Sequence, residues 1–194
     1  MEVYDLERDH IQPALAIAAS ELGSDYLTYD DFFSVIGSKD RFCKVAVYCN
    51  KVSGFSICQI FGPDEIDKVL ALPESIEKDS LKKQDRIGLL SSISVSDEIK
   101  GKGIGSQLVD SCVKEFISRD VSVLCAMGWK DINGITNIDG ILKHIGMIPS
   151  IEIRGYWNRF VRSSEGHDCP ICGRPCSCSA VLYTRFLCYD NSFK

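Results

Sequence analysis

Hydrophobic positions in the middle of the chain predict a strand, a helix and a second strand. Over Ile87–Val95, apolar residues recur with the two-residue period of a largely buried strand. Beyond the glycines that follow, the apolar positions between residues 104 and 117 keep helical spacing and form one stripe. The apolar run 121–127 predicts another central strand, so the three segments are expected to form a strand–helix–strand unit.

The flanking pattern predicts two helices before this unit and strands on both sides of it. A helical stripe begins after Asp9 and stops at Gly23. A second, short helix is expected after Thr28, which is followed by Asp31 at the spacing of a capping box. Further strands are predicted over residues 42–49, 55–61, 148–157 and 179–187, and a short helix over 135–145 that ends at Gly146.

Residues 62–86 interrupt this pattern. They are rich in charged side chains, contain Pro63 and Pro73, and hold only a small apolar island at 69–72. We expect a charged, solvated insertion with one partly helical segment. A substrate-binding lid is the alternative interpretation.

Composition limits the class of protein. With 194 residues and 45% apolar content, the chain is expected to form one domain over residues 1–194. Its net charge of -5 argues against general nucleic-acid binding and leaves open a cationic, amine-bearing substrate. No apolar run is long enough for a membrane span, and the first residues lack the features of a signal peptide. We expect a cytoplasmic protein without membrane contact; a homodimer is one option for its assembly.

The glycines between the predicted strand and helix indicate a phosphate site. Residues 100–105 read Lys-Gly-Lys-Gly-Ile-Gly, at a helix N-terminus whose unpaired amides attract phosphate oxygens. Lys100 and Lys102 add positive charge. The P-loop pattern is absent, and Ser106 stands where a Rossmann motif has its third glycine. We interpret the segment as a pyrophosphate cradle. The alternative is a loop that its glycines make flexible, before an ordinary core helix.

This motif resembles the acetyl-CoA signature of the GCN5-related N-acetyltransferases (GNAT), Arg/Gln-x-x-Gly-x-Gly/Ala. It departs from the signature at Lys100, which keeps the charge but lacks the planar fork of arginine. The order of predicted elements also matches the family. The resemblance implies an α/β (α+β) fold, with a mixed, mostly antiparallel central sheet that is flanked by helices and splayed between its fourth and fifth strands.

The resemblance further implies an N-acetyltransferase that moves an acetyl group from acetyl-CoA to a primary amine of a small molecule or protein, in a ternary complex. The backbone of the strand before the motif would pair with the pantetheine arm, and the motif amides would meet the pyrophosphate. The cofactor-binding residues so implied are Ile93, Ser94, Val95, Lys100, Gly101, Lys102, Gly103, Ile104, Gly105 and Ser106.

Catalytic residues are not identified by the sequence. Many family members carry a tyrosine four residues before the glycine that ends the helix after the fifth strand, and counting back from Gly146 reaches Leu142. Helical spacing turns His144 away from the apolar stripe, so a solvated histidine is expected. A strand amide near Val95 is the candidate donor to the thioester carbonyl. The absent tyrosine motivates a second hypothesis, a non-catalytic CoA-binding or zinc-knuckle interaction protein on the same fold.

A cysteine cluster lies in the connection 158–178, between the last two predicted strands. Its spacing, Cys-x-x-Cys-x-x-x-Cys-x-Cys, is typical of a knuckle that brings thiolates together around one zinc ion. Four thiolates leave no open coordination position, which favours a structural role. A disulfide pair is the rival interpretation, and His167 could replace one cysteine. The predicted zinc ligands are Cys169, Cys172, Cys176 and Cys178.

Overall fold

One mixed sheet of seven strands organises the computed structural model of the chain, which describes residues 1–24, 26–159 and 164–187. The spatial order of the strands is β1-β2-β3-β4-β5-β7-β6. Neighbouring strands are antiparallel except β4 and β5, which are parallel. The strands are β1 (Glu2–Asp5), β2 (Arg41–Tyr48), β3 (Lys51–Phe61), β4 (Ile87–Val95), β5 (Val123–Lys130), β6 (Ile148–Arg154) and β7 (Ser179–Phe186).

Helices cover both faces of this sheet. None of the helices in the described part of the chain combines the length and the apolar character that crossing a bilayer requires. Short 3-10 helices lie at Pro63–Glu65, Asp97–Ile99 and Tyr156–Arg159. The α-helices are α1 (Arg8–Leu22), α2 (Tyr29–Phe33), α3 (Ile66–Val69), α4 (Ile76–Leu81), α5 (Ile104–Ser118) and α6 (Asp139–His144).

Alternating side chains of the strands divide the core between the two faces. On β5, Val123 and Cys125 pack on one face, with α3, α4 and the cysteine cluster. Leu124 and Ala126 pack on the other face, against α5 and α6. The helices α1 and α2 cover the first face over β2 and β3. The two-residue period of the strands therefore sets which elements lie on which side of the sheet.

The predicted elements are largely confirmed, and the differences have local causes. The structure gives β4 the predicted bounds, and Thr28 begins α2 with the capping box to Asp31. The strand expected at 121–127 begins two residues later and runs to Lys130. The strand β1 was not predicted, because most of its side chains are exposed and leave no apolar period. The strand expected over 148–157 ends at Arg154, where a 3-10 turn follows.

The segment 62–86 differs from the expected solvated insertion. It contains two short α-helices, and its apolar residues are buried against the sheet. These residues are spread among charged positions, so the sequence showed the exposed side of the segment more clearly than the buried one. The buried residues are Ile66, Leu70, Leu72 and Leu81.

Candidate functional site

The sheet opens between β4 and β5. Their parallel pairing runs only from Ile87 opposite Val123 to Leu90 opposite Ala126, although both strands continue. Just beyond this ladder, Ser91 is the extra residue where the pairing of β4 with β3 shifts register. Such a bulge bends its strand. The splay between the fourth and fifth strands is therefore confirmed, and a gap separates the second half of β4 from β5.

Backbone amides of β4 face this gap. The Ser96 N–H donates to the Ser53 carbonyl oxygen on the β3 side, at 3.0 Å. Because successive N–H groups of a strand point to opposite edges, the Ser94 amide also faces β3, and those of Ile93 and Val95 face the gap. These two amides thus lie along the free edge of β4 without a backbone partner among the described residues.

The strand β4 leads directly to the N-terminus of α5. After a 3-10 turn the chain passes through Gly101 and Gly103, whose φ angles are +81° and +76°, and Gly103 is the N-cap residue. The first helical amide to bond back is that of Gln107, which donates to the Gly103 carbonyl at 3.2 Å. The amides of residues 104–106 precede it, in the position where helix N-termini bind phosphate oxygens.

The glycines of the motif have different roles. For Gly101 and Gly103, no atom of the described residues lies within 4 Å of the position that a Cβ would take. Their positive φ angles, rather than crowding, favour glycine, and the space above them is open to a ligand. At Gly105 a Cβ would lie 2.6 Å from Ile141 Cδ1. Gly105 therefore lets α5 pack closely against α6.

Both lysines of the motif are held by neighbouring elements. The Lys100 Nζ lies 2.7 Å from Glu21 Oε2 of α1 and 2.8 Å from Asp97 Oδ1. Partial burial opposes the charged form of Lys100, but the bonds to Asp97 and Glu21 outweigh it and raise the pKa. The Lys102 Nζ lies 5.0 Å from the ring centroid of Tyr48 on β2. These contacts fix the position of the cradle and keep two positive charges beside it.

A cleft of about 340 Å³ lies on the face of the sheet opposite α5. Ser91 and Ser92 of β4 form part of its floor, so the cleft adjoins the gap. Its aromatic walls are Tyr26, from the connection between α1 and α2, and Tyr156 and Trp157, from the 3-10 turn after β6.

The aromatic residues of the cleft are held in place by hydrogen bonds. Burial raises the pKa of Tyr26 against the opposing effect of its bond with Ser92, so its phenol stays protonated at neutral pH. The Tyr156 hydroxyl donates to the Leu70 carbonyl at 2.9 Å, which ties the segment 62–86 to the cleft. The Trp157 Nε1 donates to the Ser179 carbonyl at 3.0 Å.

The four clustered cysteines converge on one point. Their Sγ atoms all lie within 4.8 Å of one another. Cys172 Sγ is 3.6 Å from Cys178 Sγ and 3.9 Å from Cys176 Sγ, and Cys169 Sγ is 3.8 Å from Cys178 Sγ. Zinc–sulfur bonds of about 2.3 Å in a tetrahedron place the sulfurs about 3.8 Å apart. The geometry matches a zinc site, and these cysteines are free thiols rather than disulfides.

Donors surround these sulfurs. The amides of Ile171 and Cys172 both donate to Cys169 Sγ at 3.4 Å, and the Ser177 amide donates to Cys172 Sγ at 3.2 Å. Such N–H···S bonds stabilise metal-bound thiolates. Burial raises the pKa of the Cys178 thiol to about 11, so its thiolate form needs a neighbouring cation. We call residues 164–178, which carry the cluster, the cysteine clip.

The cysteine clip packs against the cleft. The His167 ring lies edge-on to Tyr26, with the centroids 5.4 Å apart. Asn158 Oδ1 accepts the amides of His167 and Cys176, each at 3.0 Å, and Asn158 directly follows Trp157. The described residues that converge at this point are the four cysteines, and His167 contacts the cleft wall instead.

Other residues considered from the sequence lie away from the site. Leu142 of α6 is fully buried in the core against α5, and its hydrocarbon side chain has no proton to give. The His144 Nε2 lies 3.3 Å from Asp110 Oδ1 at the surface, as expected for a solvated histidine. The exposed Tyr29 stacks on Phe33 outside the cleft. The residues that line the cleft come from separate segments and carry no motif, so sequence patterns do not identify them.

Solved structures with the same fold are N-acetyltransferases. Arabidopsis thaliana NAA60 in complex with acetyl-CoA matches with a TM-score of 0.69 and 12% identity, over 96% of this chain and 98% of that chain. A ribosomal-protein-alanine N-acetyltransferase from Brucella melitensis matches with a TM-score of 0.62 and 15% identity, over 96% and 100%. A Drosophila melanogaster polyamine N-acetyltransferase matches with a TM-score of 0.63 and 8% identity, over 96% and 99%.

No protein-family model and no curated protein sequence matches the chain. The structural matches nevertheless extend over nearly the whole of each chain. They confirm the resemblance to the GCN5-related N-acetyltransferases at the level of the fold, which this protein shares.

Proposed function

We propose that this protein is an N-acetyltransferase that transfers the acetyl group of acetyl-CoA to a primary amine. One observation carries the proposal. The gap between β4 and β5 opens beside a glycine-rich helix N-terminus, and an amine-sized cleft adjoins the gap on the face of the sheet opposite α5. A thioester in the gap would then meet an amine from the cleft. Acetyltransferases with the same fold, one of them bound to acetyl-CoA, support this assignment.

The cofactor would bind along one continuous stretch of backbone. The free edge of β4 offers the amides of Ile93 and Val95 to the amide groups of the pantetheine arm. The amides of residues 104–106 would bind the pyrophosphate, and Lys102 would add charge at the open mouth of the cradle. Lys100 would act mainly by fixing the loop, because Glu21 and Asp97 already bind its ammonium group.

Transfer requires a neutral amine and a donor to the thioester oxygen. A strand amide near Val95 can donate to the carbonyl oxygen as it gains charge. Deprotonating a lysine-like amine at neutral pH costs roughly 4 to 5 kcal/mol. No carboxylate or imidazole lines the cleft among the described residues. We infer that removal of the amine from water lowers its pKa and supplies part of this cost.

The departing thiolate would not need the usual tyrosine. Leu142 stands at that position and cannot give a proton. A thiol with a pKa of about 8.5 can leave as the thiolate, and water can then protonate this thiolate.

We also propose that the cysteine clip holds one structural zinc ion through Cys169, Cys172, Cys176 and Cys178. The regular spacing of the sulfurs and the amides that bond to them support this ligand set. Zinc would order the connection between β6 and β7, of which residues 160–163 lie outside the described part. A homodimer and a cytoplasmic location remain predictions from the sequence.

Binding and turnover test the proposal together. Calorimetry should show one acetyl-CoA bound per chain, and a panel of primary amines should release free CoA thiol from it. Binding without turnover on any amine would favour the second candidate, a CoA-binding or zinc-knuckle interaction protein, which the buried Leu142 motivates. Absence of CoA binding would refute the acetyltransferase and the CoA-binding form of the second candidate, and would leave the zinc-knuckle form.

A further inference from the structure

The chemistry of the cleft walls indicates the class of acceptor, given the proposed function. Its aromatic side chains are those of Tyr26, Tyr156 and Trp157. Of its other uncharged side chains, four are apolar and three are polar. The polar ones are the two serines of β4 and Gln59. The apolar residues are Leu27, Val69, Leu89 and Met127.

Charge in the cleft is limited to one lysine. Among the described residues that line it, Lys68 of α3 is the sole charged side chain, and it is exposed at the rim. A polyamine brings a second ammonium group, which would meet this like charge without a carboxylate to bind it. Like charges a few ångströms apart repel, and such juxtapositions select against a partner.

The shape and polarity of the cleft suit an aromatic or apolar carrier for the amine. Its volume of about 340 Å³ holds a ring with a short alkyl chain and lies near the lower end of ligand pockets. Tyr156 and Trp157 line it, and aromatic side chains favour stacking or edge contacts with a bound ring. The Tyr26 phenol is bonded to Ser92, so the polar groups on this wall are paired with each other.

We propose that the acceptor is a primary amine attached to an aromatic or apolar group and carrying a single positive charge, not a polyamine. The inference rests on the proposed acetyltransferase activity. The apolar walls would strip water from the amine and lower its pKa, which replaces a dedicated base. Lys68 would reject a second cation and tolerate a neutral or anionic group.

Competing amines test the inference on the full chain with acetyl-CoA. Phenethylamine and a short peptide with N-terminal phenylalanine represent the proposed class, as a free amine and as a polypeptide N-terminus. Agmatine and spermidine represent polyamines. We expect kcat/KM for at least one aromatic amine to exceed that for both polyamines by about tenfold or more. The better of the two aromatic probes identifies the source of the amine.

A charge reversal at Lys68 tests the electrostatic part. Lys68→Glu should raise the kcat/KM of agmatine relative to phenethylamine by about fivefold or more, because the rim then attracts the second cation. Lys83→Glu is the matched control: Lys83 is exposed, lies outside the cleft and carries the same charge change, so this ratio should stay constant.

The outcomes separate the inference from the proposed function. A preference of the unmodified protein for agmatine or spermidine would overturn the inference and leave the acetyltransferase assignment in place. An unchanged selectivity in Lys68→Glu would also overturn it. Calorimetric binding of acetyl-CoA without turnover of any of the four probes would overturn the inference, and the same result with every amine of the larger panel would remove the proposed function as well.

Discussion

At the scale of single residues, the glycine motif combines two physical requirements. Gly103 must adopt a left-handed conformation to begin α5, and its surroundings are open. Gly105 must allow close approach of Ile141. A substitution at Gly105 would therefore disturb the packing of α6, whereas a substitution at Gly103 would mainly change the affinity for a ligand.

Gly103→Asp is the residue-scale test of the phosphate cradle. The new carboxylate should repel the pyrophosphate and raise the Kd of acetyl-CoA by at least about tenfold, which is 1.4 kcal/mol. Backbone strain at the positive φ should cost only about 1 kcal/mol of unfolding free energy. Calorimetry and thermal unfolding measure the two effects.

Gly37→Asp is the matched control for that strain. Gly37 has the same φ of +76° and open surroundings, but it lies after α2 and outside the motif. It should show the same loss of stability and an unchanged Kd. Equal Kd values for the two variants would show that the motif does not bind the phosphates.

At the scale of elements, the free edge of β4 gives a local prediction. The amides of Ile93 and Val95 face the gap, whereas that of Ser94 faces β3. Saturating acetyl-CoA should slow hydrogen exchange at Ile93 and Val95 by about tenfold or more, because pantetheine then accepts their bonds. Ser94 serves as the internal control. Exchange that slows equally at all three amides would indicate general stabilisation instead.

The cysteine clip gives a second prediction at this scale. Cys172→Ser should reduce zinc from one equivalent to well under half an equivalent, because Cys172 Sγ lies next to two of the other sulfurs. The exposed Cys49, outside the cluster, provides the control Cys49→Ser, which should keep the metal. Metal analysis of protein purified without chelator measures both.

Loss of zinc should also change the cleft, because the clip supports it. Trp157 packs against the clip, and the neighbouring Asn158 bonds to the backbone of His167 and Cys176. Tryptophan emission should shift upon chelation of zinc, while the Kd of acetyl-CoA stays within about twofold, since β4 and α5 lie apart from the clip. Loss of CoA binding upon chelation would contradict the expected independence of the cofactor site from the cysteine clip.

At the scale of the whole molecule, the proposed function would place the cofactor and the acceptor on different sides of the sheet, with the gap as their meeting point. No cysteine lines the cleft among the described residues. Cys125 on β5 is buried in the core, and burial raises the pKa of its thiol, which keeps it unreactive. The proposed transfer would therefore proceed by direct attack of the amine on the thioester.

Direct transfer predicts a kinetic pattern. Initial rates measured against both substrates should give intersecting double-reciprocal lines, because both must be bound before reaction. Parallel lines, or protein that carries a stable acetyl group after incubation with acetyl-CoA alone, would indicate a covalent intermediate and contradict the prediction. Mass spectrometry of the intact protein detects that group.

The sequence by itself determined the parts of the protein that depend on neighbouring residues. The period of β4, the glycines and the stripe of α5 predicted a strand, a glycine-containing turn and a helix, and the structure joins them in that order; phosphate binding at the turn stays a prediction. The spacing of the cysteines likewise predicted a convergent cluster. Such features follow from local geometry, in which a few consecutive residues fix both the backbone and the chemistry.

Only the tertiary structure decided where the acceptor would bind. Tyr26 and Trp157 are far apart in the chain, and they meet because α1 and the segment after β6 pack on the same face of the sheet. Lys68 reaches the rim because the segment 62–86 buries its apolar residues in that face, where the charge pattern had predicted a solvated, partly helical insertion. Periodicity reports which side of an element is apolar but not which element covers it, so the cleft follows from long-range packing.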